Sequence, residues 1–206
     1  MLITNVLKTV LLVFLIINMQ IFDAKESAGT MDETIVAKTA EKETPAKNEI
    51  REWSEFFDES LDDLKEEKQV AKEDNKKAIL IMFEMEECPF CARMKRTVIN
   101  KSRVQDYYRK NFRILSVDIE GDLELTDFKG KTTTQKDFAF KQNRVRATPV
   151  FQFYDLKGKP LKNGRLTGAT RNAEEFLLLG QFIAEGHNQK MSFSKFKRKH
   201  KKQTKK

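Results

Sequence analysis

Apolar positions between residues 50 and 64 recur at steps of three and four, a spacing that predicts an amphipathic helix. The members of this stripe are Ile50, Trp53, Phe56, Phe57, Leu61 and Leu64. The period then changes, because residues 78–83 form an unbroken apolar run that is typical of a strand covered on both faces. A Cys-Pro-Phe-Cys sequence follows at 88–91, and residues 92–100 are compatible with a helix whose first turn accommodates Pro89. The pattern therefore predicts a strand that leads into a helix, with two cysteines at the junction.

The remaining apolar runs are short and are separated by polar or glycine-containing segments, as expected for alternating strands and helices. In chain order they predict a strand at 112–119, a polar loop at 121–134, a helix at 135–143, a strand at 150–154, a turn at 157–159, a strand at 160–166 and a helix capped by Asn172. Together these elements predict a small α/β domain with a mixed sheet flanked by helices, at residues 50–186.

The N-terminal residues 1–24 contain a short apolar segment, residues 9–22, directly after Lys8. As a helix this segment would span about 21 Å, which is short of the roughly 30 Å hydrocarbon core of a bilayer. A basic residue before a short apolar run is typical of a signal peptide. A cut after Ala24 would leave Phe22 where a small residue is preferred. We therefore expect either a signal peptide or an uncleaved N-terminal anchor, and in both cases an extracytoplasmic, periplasmic location.

Charge is distributed unevenly along the chain. The net charge is +8, but residues 187–206 hold nine Lys or Arg and no Asp or Glu, so the rest of the chain has a net charge of −1. This distribution disfavours a basic nucleic-acid-binding face on the domain, and we expect no nucleic-acid partner. Residues 25–49, without an aromatic residue, predict a disordered linker. The basic tail is also predicted to be disordered, and it could bind an anionic membrane surface or an acidic partner.

Cys88 and Cys91 are the two cysteines of the chain. In the first turn of a helix their sulfurs come within bonding reach, and the first sulfur meets unpaired backbone N–H groups and the positive end of the helix dipole. Both effects favour the thiolate, the form that attacks disulfides. Cys88 is therefore the candidate nucleophile and Cys91 the candidate resolving thiol. A zinc site would need four ligands, and a purely structural disulfide would close too small a loop to stabilise much. We expect a redox-active disulfide and no other cofactor.

A second signal is Thr148-Pro149 at the start of a predicted strand, a place where a cis X–Pro bond is tolerated. With the ILIMFEMEECPFC segment, the VDIEGDLELTDFKGKTTTQKDFA insert and NRVRATPVFQFYDLKGKPLKNGRLTG, the chain resembles the thioredoxin superfamily, and more specifically its exported SoxW-type members. The resemblance implies that Cys88 attacks and Cys91 resolves. It also implies that a cis Pro149 faces the dithiol and that Thr148, Pro89 and Phe90 contact the substrate. Re-reduction by a membrane thiol-transfer protein is implied as well. We also expect the protein to be a monomer.

The sequence departs from the thioredoxin pattern at the buried acid six residues before the first cysteine, where Met82 stands. Glu84 follows two residues later, on the same face of the strand, and is a candidate proton acceptor for Cys91. The alternative is a solvated carboxylate at the end of a strand. Glu84, Glu86 and Glu87 disfavour a thiolate at Cys88, and the basic residues of the following helix oppose them.

We expect the protein to reduce protein disulfides. An oxidase or isomerase of the same fold is an alternative that the reduction potential would distinguish. A second alternative is a non-catalytic binding module targeted by its basic tail.

Overall fold

The computed structural model describes residues 49–203. The predicted signal peptide or anchor at 1–24 lies outside the described residues, as does the predicted linker at 25–49 except for Glu49. Within the described range, no helix is both long enough and apolar enough to cross a membrane.

A four-stranded mixed sheet lies at the centre of the domain. Its strands are β1 (Ala78–Glu84), β2 (Phe112–Asp118), β5 (Val150–Tyr154) and β6 (Pro160–Thr167), in the spatial order β2-β1-β5-β6. Strands β1 and β2 are parallel, whereas β5 runs antiparallel to both β1 and β6. The predicted mixed sheet is confirmed, and each of its strands lies within two residues of the predicted bounds.

Helices cover both faces of the sheet. They are α1 (Leu64–Glu73), α2 (Pro89–Met94), α3 (Ser102–Asn111), α4 (Gln135–Asp137), α5 (Ala173–Ala184) and α6 (Phe193–Gln203), with single π-helical turns at Lys95–Ile99 after α2 and at Phe138–Gln142 after α4. Because side chains alternate along a strand, Leu80 and Met82 pack with α2, α3 and α5 on one face. On the other face, Ile79 and Ile81 pack with α1 and with the π-helical turn that follows α4. Strand β1 is therefore buried on both sides, as the unbroken apolar run predicts.

The predicted helix at 50–64 is wrong. Only a short 3-10 helix forms there, at Trp53–Phe56, and α1 begins where the predicted helix ends. The three- and four-residue spacing does not mark one apolar face, because Leu61 is 95% exposed while Phe56 is fully buried. Instead the segment crosses the domain in irregular form, and the Asp58 carboxylate accepts a hydrogen bond from the Ile114 backbone N–H at 2.7 Å.

The predicted polar loop at 121–134 contains a small antiparallel hairpin, formed by β3 (Glu124–Thr126) and β4 (Thr132–Thr134). Its turn is organised by Asp127, whose carboxylate accepts hydrogen bonds from the backbone N–H groups of Lys129 and Lys131. Burial alone would raise the pKa of Asp127, but these hydrogen bonds outweigh it and lower the pKa. The segment at 121–134 is therefore ordered in spite of its polar composition.

The predicted disorder of residues 187–206 is also wrong for the part of the tail that the structure describes. A 3-10 turn at His187–Gln189 leads into α6, and the rings of Phe193 and Phe196 lie 5.5 and 5.3 Å from the ring of Phe182 on α5. The basic composition of the tail disfavours folding on its own. In the domain, however, the two phenylalanines of α6 cover an apolar surface of α5.

An ion pair also joins α6 to α5. The ammonium of Lys197 and the backbone N–H and side chain of Arg171 donate hydrogen bonds to the Glu175 carboxylate. Burial would raise the pKa of Glu175, but these donors outweigh it and bring the pKa to about 2. The carboxylate must therefore be ionised for the pair to stabilise the packed tail.

The low pKa of Glu175 predicts how stability depends on pH. An ordinary Glu has a pKa of about 4.3 in the unfolded chain, so the pair stabilises the fold fully above that pH and loses its effect as the pH falls toward 2. We expect Glu175→Gln to lower the melting temperature at pH 7 and to lower it progressively less between pH 4.3 and 2. Thermal melts of both proteins across this range measure the effect. A difference that stays constant across the range would contradict it.

Candidate active site

Cys88 and Cys91 form a disulfide at the start of α2. Cys88 is the N-cap residue of this helix, and its sulfur accepts a hydrogen bond from the Cys91 backbone N–H at 3.0 Å. Pro89 occupies the first helical position, where the N–H that proline lacks would have no partner in the helix. The helix start thus places an N–H donor and the positive end of the dipole at the Cys88 sulfur, as the sequence predicts.

The two cysteines are nearly buried, with Cys88 4% and Cys91 2% exposed. Between them, Phe90 is 59% exposed although it is a large apolar residue. An exposed aromatic ring beside a buried disulfide can contact a bound polypeptide without first breaking contacts in the core. Glu86 and Glu87, which precede the motif, are exposed to solvent and lie one and two residues before Cys88.

The Thr148–Pro149 segment lies at the same end of the sheet as the disulfide. The peptide bond between these residues is cis. The next residue, Val150, pairs with Phe83 near the end of β1, from which the chain continues to Cys88. Pro149 is buried and Thr148 half-buried, and the Pro149 carbonyl accepts a hydrogen bond from Gly168 at 2.8 Å. Antiparallel pairing therefore brings together two motifs that are about sixty residues apart in sequence.

Glu84 is neither solvated nor isolated. It ends β1, its Oε1 accepts a hydrogen bond from the Ser116 hydroxyl at 2.6 Å, and its Oε2 lies 2.5 Å from the Lys95 ammonium. Met82, on the same face of β1, packs in the core cluster that contains both cysteines. The strand thus presents an apolar residue at the position of the thioredoxin acid and a carboxylate two residues farther on.

A cavity of about 280 Å³ joins this carboxylate to the disulfide. Its walls are formed by residues from the end of β1, the motif helix and the end of β2. These residues are Glu84, Met85, Glu86, Cys88, Cys91, Ala92, Lys95 and Asp118. Among residues 49–203, no group of three or more His, Cys, Asp or Glu side chains could hold a metal ion. The chemistry that this site can perform on its own is thiol–disulfide exchange.

Sequence reasoning did not find Ser116, Asp118 or Trp53 as neighbours of this site. The first two carried a weak signal, because the carboxyl ends of neighbouring parallel strands meet at one edge of a sheet. Trp53 carried none, since its ring reaches Lys95 only through the tertiary fold, with the Lys95 Nζ 4.1 Å from the ring centroid.

Comparison with known protein families supports the fold described above. The model of the thioredoxin-like domain family matches residues 64–184, which is more than half of the chain. No curated protein sequence is significantly similar to it.

Solved structures with the same fold include a thioredoxin-fold protein from Helicobacter pylori, which is 24% identical with a TM-score of 0.51 over 64% of this chain and 86% of that chain. A thioredoxin from Thermus thermophilus is 24% identical with a TM-score of 0.45, over 57% and 81% of the two chains. The oxidised C-terminal domain of DsbD from Neisseria meningitidis is 15% identical with a TM-score of 0.42, over 56% and 89%.

Proposed function

This chain belongs to the thioredoxin-like domain family, and from that premise we propose that it is a thiol–disulfide oxidoreductase that reduces protein disulfides. The observation that carries the proposal is the Cys88–Cys91 disulfide at the N-terminus of α2, with an N–H donor on the Cys88 sulfur. A dithiol cycle needs two thiols, and Cys88 and Cys91 supply them. The position of Cys88 at the helix start makes it the nucleophile.

The cycle begins from the reduced dithiol. The Cys88 thiolate attacks one sulfur of a substrate disulfide, forms a mixed disulfide and expels the other substrate sulfur as a thiolate. Cys91 then loses its proton and attacks the Cys88 sulfur, which closes the Cys88–Cys91 disulfide and releases the second substrate thiolate. Two electrons pass from the dithiol to the substrate, and the two protons left by the cysteines end on the substrate thiols.

Two acids near the dithiol support the reducing direction, and they act against the backbone N–H donor that favours the Cys88 thiolate. Glu86 and Glu87 are exposed acids just before Cys88, and negative charge near a thiolate destabilises it relative to the disulfide. A disulfide that is favoured in this way belongs to a stronger reductant, because its reduction potential is lower. A potential close to those of the strong oxidants would instead support the alternative function of an oxidase or isomerase.

For the substrate we propose an extended polypeptide segment that binds beside the disulfide. Phe90 and Pro89 are exposed on one side of the site, and Thr148 and Pro149 lie at the same end of the sheet. Backbone hydrogen bonding to an extended segment, known as strand addition, tolerates many sequences. Such a site suits an enzyme that acts on several protein disulfides.

We also propose that the domain works outside the cytoplasm and is re-reduced by a membrane thiol-transfer protein. The apolar segment at 9–22 after Lys8 supports export, as does the resemblance to exported members of the superfamily. An oxidising compartment would convert the dithiol to the disulfide, so a dedicated source of electrons would be required there.

The nucleophile assignment predicts which cysteine reacts first with an alkylating agent. Cys88 begins the helix and receives the backbone N–H, whereas Cys91 lies one turn farther on and is more deeply buried. We expect brief iodoacetamide treatment of the reduced protein to label Cys88 faster than Cys91, by about tenfold or more. Mass mapping of the labelled peptides measures the ratio. Preferential labelling of Cys91 would reverse the assignment.

The basic tail supports a second proposal, which is that α6 holds the domain against an anionic membrane surface. Because Phe193 and Phe196 pack on α5, the outward face of α6 is basic and has no large apolar residue to insert into lipid. Attraction would be purely electrostatic, with about 1 kcal/mol per base near the surface and screening within about 10 Å at 0.1 M salt. The predicted N-terminal signal or anchor segment favours a membrane over an acidic protein as the partner.

Neutralising the outer face of α6 tests this proposal. We expect replacement by Gln of Lys195, Arg198, Lys199 and Lys202 to weaken salt-sensitive co-sedimentation with anionic vesicles by about 10²-fold or more, and to leave binding to neutral vesicles unchanged. A matched control removes the same charge elsewhere on the exposed surface, by replacing Lys72, Lys110, Lys131 and Lys159. An equal loss in the control would show that net charge matters and that α6 has no special role.

A further inference from the structure

The ammonium of Lys95 is held between two groups from different parts of the chain. On one side lies Oε2 of Glu84 at 2.5 Å, and on the other lies the ring of Trp53, whose centroid is 4.1 Å from Nζ. Ser116 holds the second oxygen of the same carboxylate. The carboxylate is thus fixed at both oxygens, and the cation that fixes one of them is itself fixed by an aromatic ring.

This arrangement differs from an ordinary surface ion pair in two respects. The Lys95 and Glu84 side chains are only 19% and 15% exposed, so solvent screens their attraction weakly. Both residues also line the cavity that contains Cys88 and Cys91. Lys95 follows Cys91 by four residues in a continuous helical segment, and therefore lies on the same face of that segment one turn farther on.

The ring that completes the arrangement comes from outside the part of the chain that matches the family. Trp53 belongs to the short 3-10 helix at Trp53–Phe56, whereas the family match begins at residue 64. The ring is partly exposed and packs edge-on against Phe57 at 6.3 Å. The segment before the family domain thus supplies a side chain to the edge of the site.

We propose that Lys95, clamped by Trp53, is a positioning residue that orients the Glu84 carboxylate to accept the proton of Cys91 in the resolving step. The proposal rests on the proposed function. In this step the Cys91 S–H bond breaks, its proton passes to a Glu84 oxygen, and the Cys91 sulfur bonds to the Cys88 sulfur. The Cys88–substrate S–S bond breaks, and the substrate thiolate that leaves takes the proton from Glu84 directly or through water.

Glu84 is held by more side-chain partners than the other two carboxylates that line the cavity. Asp118 accepts a hydrogen bond from the Glu120 backbone N–H at 2.9 Å, which holds it to its own turn. Glu86 is exposed to solvent. Glu84 alone among these three acids is held by both a hydroxyl and an ammonium. Removal of Lys95 would therefore release one of its two oxygens.

The test separates the two chemical steps in a single trace. When the reduced full-length protein reacts with a chromogenic aromatic disulfide such as DTNB, attack by Cys88 releases one coloured thiolate and resolution by Cys91 releases the second. The first phase depends on reagent concentration and the second does not. We expect Lys95→Met to slow the second phase by about tenfold and to leave the first within twofold, since a positioned base contributes about 10²–10⁴-fold.

Three further variants test whether Lys95 acts through Glu84. Glu84→Gln should slow the second phase at least as much, and adding Lys95→Met to it should cause no further loss. Lys95→Arg should restore most of the rate, because it keeps the charge. Trp53→Leu should slow the second phase by about two- to fivefold, as expected for loss of a cation–π contact at a partly exposed site.

Arg96→Met is the matched control, because it removes one positive charge from the next position, which is exposed and does not line the cavity. It should leave both phases unchanged. An unchanged second phase in Lys95→Met would overturn the positioning role, while release of both thiolates would leave the proposed function standing. Additive effects of Lys95→Met and Glu84→Gln would also overturn it. A wild-type protein that releases no second thiolate would contradict both proposals.

Discussion

Replacing Cys88 with Ser is expected to reduce the rate of insulin disulfide reduction to that of the uncatalysed reaction. A serine hydroxyl does not attack a disulfide, and Cys91 is nearly buried and lacks the helix-start environment of Cys88. Turbidity from the precipitating insulin chains measures the loss. If the variant kept full biological activity in the source cell, the alternative of a non-catalytic binding module would be favoured over catalysis.

Cys91→Ser provides the complementary result. Cys88 can still attack the substrate in this variant, but no thiol remains to resolve the intermediate, so substrates should accumulate as mixed disulfides with Cys88. Non-reducing electrophoresis followed by mass spectrometry would detect and identify them. The Cys88→Ser variant is the matched control and should capture little. Equal capture by both variants would mean that the two cysteines do not have separate roles.

Replacing Phe193 with Ala is expected to destabilise the whole domain by about 3 kcal/mol, the low end of the range for a buried Phe. The side chain is 8% exposed and packs on Phe182 of α5, so its loss would leave a cavity between α5 and α6. Because Phe193 lies near the edge of the core, neighbouring side chains would partly fill the cavity and limit the loss of stability. Urea unfolding at neutral pH measures the change in free energy.

The neighbouring exposed position Lys199 provides the control for this experiment. Lys199→Ala alters the same helix without touching the core, and its effect should stay within about 0.5 kcal/mol. Two results together would show that α6 does not pack on the domain in solution. Phe193→Ala would be as stable as the wild-type protein, and the tail of the wild-type protein would be cut rapidly by protease.

Local signals in the sequence accounted for most of the sheet and for the redox motif. The run at 78–83 predicted β1 because a strand buried on both faces needs an apolar residue at every position. Cys88 and Pro89 predicted the start of α2, since both residues suit the first turn of a helix. Asn172 likewise predicted the start of α5 as its capping residue. Its side chain accepts a hydrogen bond from the Glu175 backbone N–H at 3.0 Å. Each of these features depends on residues close together in the chain.

Errors arose where a local pattern had two physical meanings. A three- and four-residue spacing at 50–64 is typical of a helix, but it also arises in an irregular segment that buries some apolar residues and exposes others. The tail was misread for the opposite reason. Nine bases without an acid disfavour independent folding, yet two phenylalanines at a helical spacing are enough when another helix covers them.

The sequence by itself determined the succession of strands and helices along the chain. It also determined the two reactive sulfurs and the helix start that activates one of them. It also placed Glu84 on the same face of β1 as Met82, because alternation along a strand is a local property. Only the tertiary structure decided what that carboxylate meets. Ser116, Lys95 and Trp53 come from a neighbouring strand, the motif helix and an irregular N-terminal segment. Their convergence depends on how separate elements pack, and no spacing within one element encodes it.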